Sequence, residues 1–221
     1  MHYPNLPALI ADSKRTLTKG PIALVMIEDD VEVDSTLSHL GTFDFGNIIA
    51  FCAPDRTFPQ TSSEVLHRVD YDVTADNALP DIANALIKAL PDMWFYYCYN
   101  AEYLYYPFCE HRNVREMLGF MQEERRDSIM SYIVDIYARD LTAHPNGVDH
   151  ATAHFDKSGY YALARKDAAG VELERQLDIS GGLRWRFEDH IAKDRQRNDR
   201  VSFFRAQPSL KMLPDRSFNI A

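Results

Sequence analysis

The chain has 221 residues, 46% of them hydrophobic and 26% charged, and carries a formal net charge of −9. A chain of this size can bury a sizeable core without disulfide or metal staples, and it reads as one domain. The acidic balance argues against non-specific binding to nucleic acid or to an anionic membrane, because both need a positive field.

Residues 1–20, MHYPNLPALIADSKRTLTKG, hold no apolar h-region, so no signal peptide is expected. No run of about 18 apolar residues occurs, so no membrane span is expected and the protein reads as cytoplasmic. The apolar run at 21–27, PIALVMI, predicts a buried strand that ends in the acids of 28–34, EDDVEVD. A helix is expected over 34–43, where an Asp or Ser cap opens it and a glycine lies near its end. Residues 46–54, GNIIAFCAP, predict a second buried strand stopped by Pro54, and 67–73, HRVDYDV, a third short one. The clearest helix is 77–91, with Ile82, Leu86 and Leu90 on one face and Pro91 at its end. Residues 93–100, MWFYYCYN, predict a fourth strand with aromatics on both faces.

Strand and helix thus alternate over the first half. That pattern predicts an α/β fold with a mostly parallel sheet flanked by helices on both faces. Ligands of such sheets sit beyond the carboxyl ends of the strands. Those ends carry 28–30, Asp55, Asp72 or Asp76, and 100–102, so several acids are expected along one edge.

The second half is less regular. A helix opens the segment 113–133, with Val114, Met117, Leu118 and Met121 on a shared face. A strand is expected over 128–138, a loop broken by Pro145, Asn146 and Gly147 over 144–156, and a strand over 159–165. His150 and His154 stand four apart, near His144, Asp149 and Asp156. Loop residues surround them and no zincin glutamate accompanies them, so a solvated loop is favoured over a metal site. SGGLR at 180–184 reads as a turn, with an anion nest as the alternative. The segment 184–205 holds seven Lys/Arg against four Asp/Glu. It is either a solvated helix face, the favoured reading, or a local patch for a phosphate. The tail 207–221 is expected to be irregular. Cys52, Cys98 and Cys109 are odd in number and lack metal-ligand spacing, so they read as reduced thiols.

Nine of the fifteen residues over 94–108 are aromatic, and among them stands YNAEYL with a single carboxylate, Glu102. Trp94, Phe95, Tyr96, Tyr97 and Tyr99 suit a strand core. Tyr103, Tyr105 and Tyr106 lie past its end, where they either find hydroxyl partners or line a cleft that stacks on a sugar or base.

The continuation CYNAEYLYYPFCEHRNVREMLGFM resembles a segment of family 2-like glycosyltransferases with the GT-A fold that runs VDxDEFLVYPhCxTRxlxxLxxwL. The likeness rests on Tyr106, Pro107, Cys109, Glu110 and Arg112 and on the amphipathic helix that follows. Residues 133–140, IVDIYARD, resemble that family's next strand, and SGGLRWRF its Gly-Gly-x-Arg turn. The resemblance spans about 22–218. It implies a single GT-A-like (Rossmann-like) domain over 1–221, with 1–20 as an N-terminal extension. Relatives continue in a further helical segment, so the chain reads either as a C-terminally truncated domain or as a member of a short subgroup. It further implies transfer of a sugar from a nucleotide-sugar donor to an acceptor hydroxyl on a carbohydrate or glycan. Relatives hold Mg²⁺ or Mn²⁺ with D-x-D at the end of the fourth strand, where the cation neutralises the diphosphate leaving group.

Laid on D-x-D-E, this chain reads YNAE. Tyr99 and Ala101 stand where the two aspartates would be, and Glu102 alone is retained. No metal ligands are therefore assigned. Three readings follow: transfer without metal, with basic groups such as Arg184, Arg186 or Lys193 on the diphosphate; a site rebuilt with acids of 28–30; or a catalytically inactive relative that serves as a binding or assembly module in carbohydrate biosynthesis. The resemblance makes Glu102 the candidate catalytic acid of the cleft. It makes Glu28, Asp30, Asp55, Asn100, Arg184 and Arg186 the candidate nucleotide-sugar ligands.

Overall fold

The computed structural model describes residues 1–58, 65–167 and 169–219. The chain divides into two compact units, 1–129 with 201–221 and 130–200.

The first unit is built on a seven-stranded sheet. Its strands are β1 (His2–Tyr3), β2 (Ile22–Ile27), β3 (Asn47–Cys52), β4 (Leu66–Asp70), β5 (Trp94–Tyr99), β6 (Ser128–Tyr132) and β11 (Asp199–Arg205). They lie in the order β1-β4-β3-β2-β5-β11-β6. β1, β4, β3, β2 and β5 run parallel, and β11 is antiparallel to β5. β6 and β11 continue into the second unit. The α/β expectation of a mostly parallel sheet flanked by helices therefore holds for this unit.

Every residue of β2 and β3 is buried, as the continuous apolar runs require of strands covered on both faces. One face of the sheet packs on α1 (Leu6–Thr16) and α3 (Ala78–Ala89): Leu24, Met26, Ile49, Phe95 and Tyr97 meet Leu9, Ile82 and Leu86. The other face packs on α2 (Val33–Gly41) and α4 (Val114–Glu123): Val25, Ala50, Tyr96 and Cys98 meet Leu37, Leu40, Val114 and Leu118. Each buried Leu, Ile or Phe contributes about 1.5–3 kcal/mol on removal from water. Local signals set the helix starts. The Asn5 side chain accepts the Ala8 N–H at 2.9 Å at the head of α1, and Asn113 with Glu116 forms a reciprocal capping box at the head of α4.

Residues 1–20 thus contribute a sheet strand and a core helix, with Leu9 and Leu17 fully buried. The segment 128–138 forms two strands rather than one, because extended pairing stops at Tyr132 and resumes at Ile136. The solvated helix face expected over 184–205 is corrected. That segment ends a short helix, passes through two 3-10 turns and enters β11, whose Phe203 and Phe204 are buried against β5.

The second unit carries two antiparallel pairs. β7 (Ile136–Tyr137) pairs with β8 (His154–Phe155), and β9 (Tyr161–Lys166) with β10 (Glu172–Ser180). A short helix α5 (Gly182–Arg186) follows. Ion pairs knit this unit together. Asp199, buried in β11, meets Arg165 at 3.5 Å and Arg197 at 3.3 Å, and both arginines also meet Asp178. The tail is irregular as far as Asn219, and its last two residues lie outside the described residues.

Candidate functional site

Read along the parallel strands, the sheet order is β4-β3-β2-β5, so the direction of winding reverses beside β2. The β2–α2–β3 unit places its helix on one face and the β4–α3–β5 unit on the other. The loops leaving β2 and β5 consequently diverge, and the carboxyl ends of these two strands mark the switch point where open α/β sheets take ligands.

Asn100 occupies that point. Its Oδ1 accepts the Glu28 N–H at 2.9 Å, and its Nδ2 donates to Asp29 Oδ1 at 2.6 Å and to the Val31 carbonyl at 2.9 Å. Its own N–H donates to the Met26 carbonyl at 3.1 Å. One amide side chain thereby stitches the loop after β5 to the loop after β2. Ala101 adopts the left-handed conformation, φ 60°, and its N–H donates to Thr36 Oγ1 at 2.9 Å. The chain then turns back, and Glu102 Oε2 accepts the Tyr99 N–H at 2.9 Å. Glu102 therefore closes the turn that ends β5.

Arg56 joins the third loop to the edge. It donates to the Glu28 carbonyl at 2.8 Å and meets Asp30 at 3.4 Å. Asp55, its neighbour, is exposed at the turn after β3. An open depression of about 370 Å³ lies between the loops after β2 and β3, lined by Asp30, Glu32, Val33, Asp34, Ser35 and Thr57. Ser35 bonds Glu32 Oε2 at 2.5 Å and the Tyr103 hydroxyl at 2.8 Å. Burial raises the Tyr103 hydroxyl above its usual range, against the lowering effect of the Ser35 bond. His39 meets Phe43, Tyr103 and Tyr105 ring to ring and donates from Nε2 to the Leu104 carbonyl at 2.9 Å. Tyr106 donates to the Arg112 carbonyl at 2.7 Å, and burial pushes its hydroxyl up to about 12. The tyrosines past β5 thus divide. Tyr103 and Tyr106 find hydroxyl partners, whereas Tyr105 and Phe108 are exposed, 75% and 73%.

Glu28, Asp30, Asp55, Asn100 and Glu102 all lie in the first unit at one edge, as the strand-end pattern predicts. Arg56, Ser35 and Thr36 join them. Sequence reading passed over these three because their partners lie far along the chain, although a serine and a threonine in the first turn of a helix are a usable signal.

Arg184 and Arg186 belong to the second unit. Arg184 forks onto Asp135 at 2.7 and 2.9 Å and donates to the carbonyls of Arg195 and Arg197. Arg186 pairs with Asp156, and this guanidinium holds the carboxyl down to about 2. The glycines before them serve packing. A Cβ on Gly182, at φ 58°, would lie 2.6 Å from the Tyr160 hydroxyl.

The switch-point residues do not fit Mg²⁺ or Mn²⁺. The side-chain oxygen of Asn100 is taken by a backbone N–H, and one oxygen of Glu102 by another. Among the described residues no three His, Cys, Asp or Glu side chains are arranged to hold a metal, the histidine loop 144–156 included. A hard cation wants several convergent oxygens. No helix is long and apolar enough to cross a membrane among the described residues. No family model, no curated protein and no solved structure matches the chain.

Proposed function

We propose that the protein binds a nucleotide sugar at the carboxyl edge of the sheet and transfers the sugar to a carbohydrate or glycan hydroxyl, as a cytoplasmic glycosyltransferase-like protein of GT-A type. The observation that carries this reading is the reversal of winding beside β2, with an acid-lined depression between the neighbouring loops that leave β2 and β3. The likeness of 98–121 to family 2-like glycosyltransferases supports the same choice. Carboxylates such as Asp30 suit the hydroxyls of a ribose or sugar, and the exposed rings of Tyr105 and Phe108 suit stacking on a base or sugar. Glu102 is the candidate base for the acceptor hydroxyl.

One observation favours a second reading, a catalytically inactive relative that binds or assembles within carbohydrate biosynthesis: Glu102 serves the backbone of its own turn. Isothermal titration with UDP- and GDP-sugars, with and without Mn²⁺, tests the shared premise. Binding of one donor that is indifferent to Mn²⁺ is the expected result, and absence of binding to every donor defeats both readings. Turnover separates them. Transfer that falls by about 100-fold or more in Glu102→Gln marks a catalytic base. Binding without turnover marks the inactive module.

A further inference from the structure

The tail folds back on itself over 212–218 and is pinned to the first unit. Asn84 of α3 donates to the Met212 carbonyl at 2.9 Å and accepts the Met212 N–H at 2.8 Å. Met212 is buried and bridges antiparallel to Phe218, whose ring lies 4.9 Å from that of Phe204. Between them the chain reverses. The Leu213 N–H donates to the Ser217 carbonyl at 2.8 Å, and the Arg216 N–H to the Leu213 carbonyl at 2.9 Å. The reversal sets Arg216 at φ 64°, in the left-handed region that a residue with a Cβ adopts only at a cost. It carries the half-buried guanidinium to 5.6 Å from the centre of the Tyr99 ring. Tyr99 is the last residue of β5 and precedes Asn100, so the tail delivers a cation to the switch point.

We infer that Arg216 binds a diphosphate group at the carboxyl end of β5. The choice of ligand rests on the proposed function, in which a nucleotide sugar occupies this edge. A diphosphate brought to a chain of net charge −9, near Glu28, Asp29 and Asp30, needs a counter-charge, and the switch-point residues do not offer metal ligands. Two further cations near these strand ends are committed to the protein. Arg56 donates to the Glu28 carbonyl and meets Asp30, and Arg68 meets Asp70 at 3.1 Å and donates to the carbonyls of Ala53 and Pro54. Arg184 and Arg186 belong to the other unit. A guanidinium suits the task, because it stays charged throughout the physiological range and its planar fork of N–H donors matches phosphate oxygens in pairs. A guanidinium seated on a ring still presents those donors in its own plane. Tyr99 thereby holds at the edge a cation that belongs to the chain itself.

Isothermal titration of the intact chain with inorganic pyrophosphate, UDP and GDP, without divalent metal, is the test. Wild type is expected to bind pyrophosphate and at least one of the two nucleotides. Arg216→Gln is expected to weaken both by about tenfold or more, as the loss of charge-assisted hydrogen bonds requires, with an unchanged denaturation midpoint. Arg216→Lys, which keeps the charge without the fork, is expected between the two. Lys211→Gln, at an exposed cation of the same tail, is expected to bind as wild type does. An Arg216→Gln variant that binds as tightly as wild type overturns the inference. So does an Arg216→Lys variant no tighter than Arg216→Gln, or a Lys211→Gln variant weakened equally, and the sugar-transfer reading survives each of these. Pyrophosphate binding that Arg216→Gln abolishes, with neither nucleotide bound, upholds the inference and defeats that reading. A wild type that binds none of the three overturns both.

Discussion

Asn100 ties the end of β5 to the loop after β2 through both atoms of its amide. A half-buried amide that bonds three groups at once fixes loop geometry, since removing it takes a partner from each of them. The next residue pays for the turn. Ala101 sits at φ 60°, where a Cβ crowds its own backbone. Ala101→Gly is expected to raise stability by about 0.5–1 kcal/mol, because the N–H to Thr36 is kept and the left-handed strain is lost. Chemical denaturation measures this, and an unchanged or lowered midpoint goes against it. The positions of Asn100 and Glu102 at a sheet edge were legible from the strand that precedes them. The bonds of Asn100 were not, because Glu28 and Asp29 lie about seventy residues upstream and only the parallel register of β2 and β5 brings them near.

Strands β2, β3 and β5 were legible as elements because burial on both faces demands unbroken apolar runs. β11 was not. Its arginines at 200 and 205 blend into a basic stretch, and its strand character comes from pairing with β5 rather than from local pattern. β4 carries a hidden titration. His67 is buried on it, with Nε2 at 2.9 Å from Asn47 Oδ1 on β3. Burial, aided by the N-terminal ammonium, lowers its pKa from 6.5 to about 4. The unfolded chain therefore binds more protons than the folded one between those values. The stability that neutral His67 secures is full above pH 6.5 and is lost as pH falls toward 4. At pH 4.5 the loss is about 2–3 kcal/mol relative to pH 7. His67→Gln, which keeps a donor for Asn47, is expected to remove this component from the difference between denaturation curves at the two pH values. An identical pH dependence in the variant contradicts the assignment.

The two units differ in what holds them. The first has helices on both faces of its sheet and a continuous apolar interior on each side. The second relies on salt links among Arg165, Asp178, Arg197 and Asp199 and on the Arg184–Asp135 fork. Sequence patterning captured the first because apolar periodicity reports burial. It fared worse on the second, where paired charges replace the apolar signal. Every residue of the candidate edge that binds through the switch point is in the first unit, so ligand recognition is expected there. Hydrogen exchange with and without a UDP- or GDP-sugar tests this most directly. The account expects slowed exchange in 28–36, 53–58 and 99–106, the three loops that leave β2, β3 and β5. Saturating donor that leaves all three segments unchanged would contradict it.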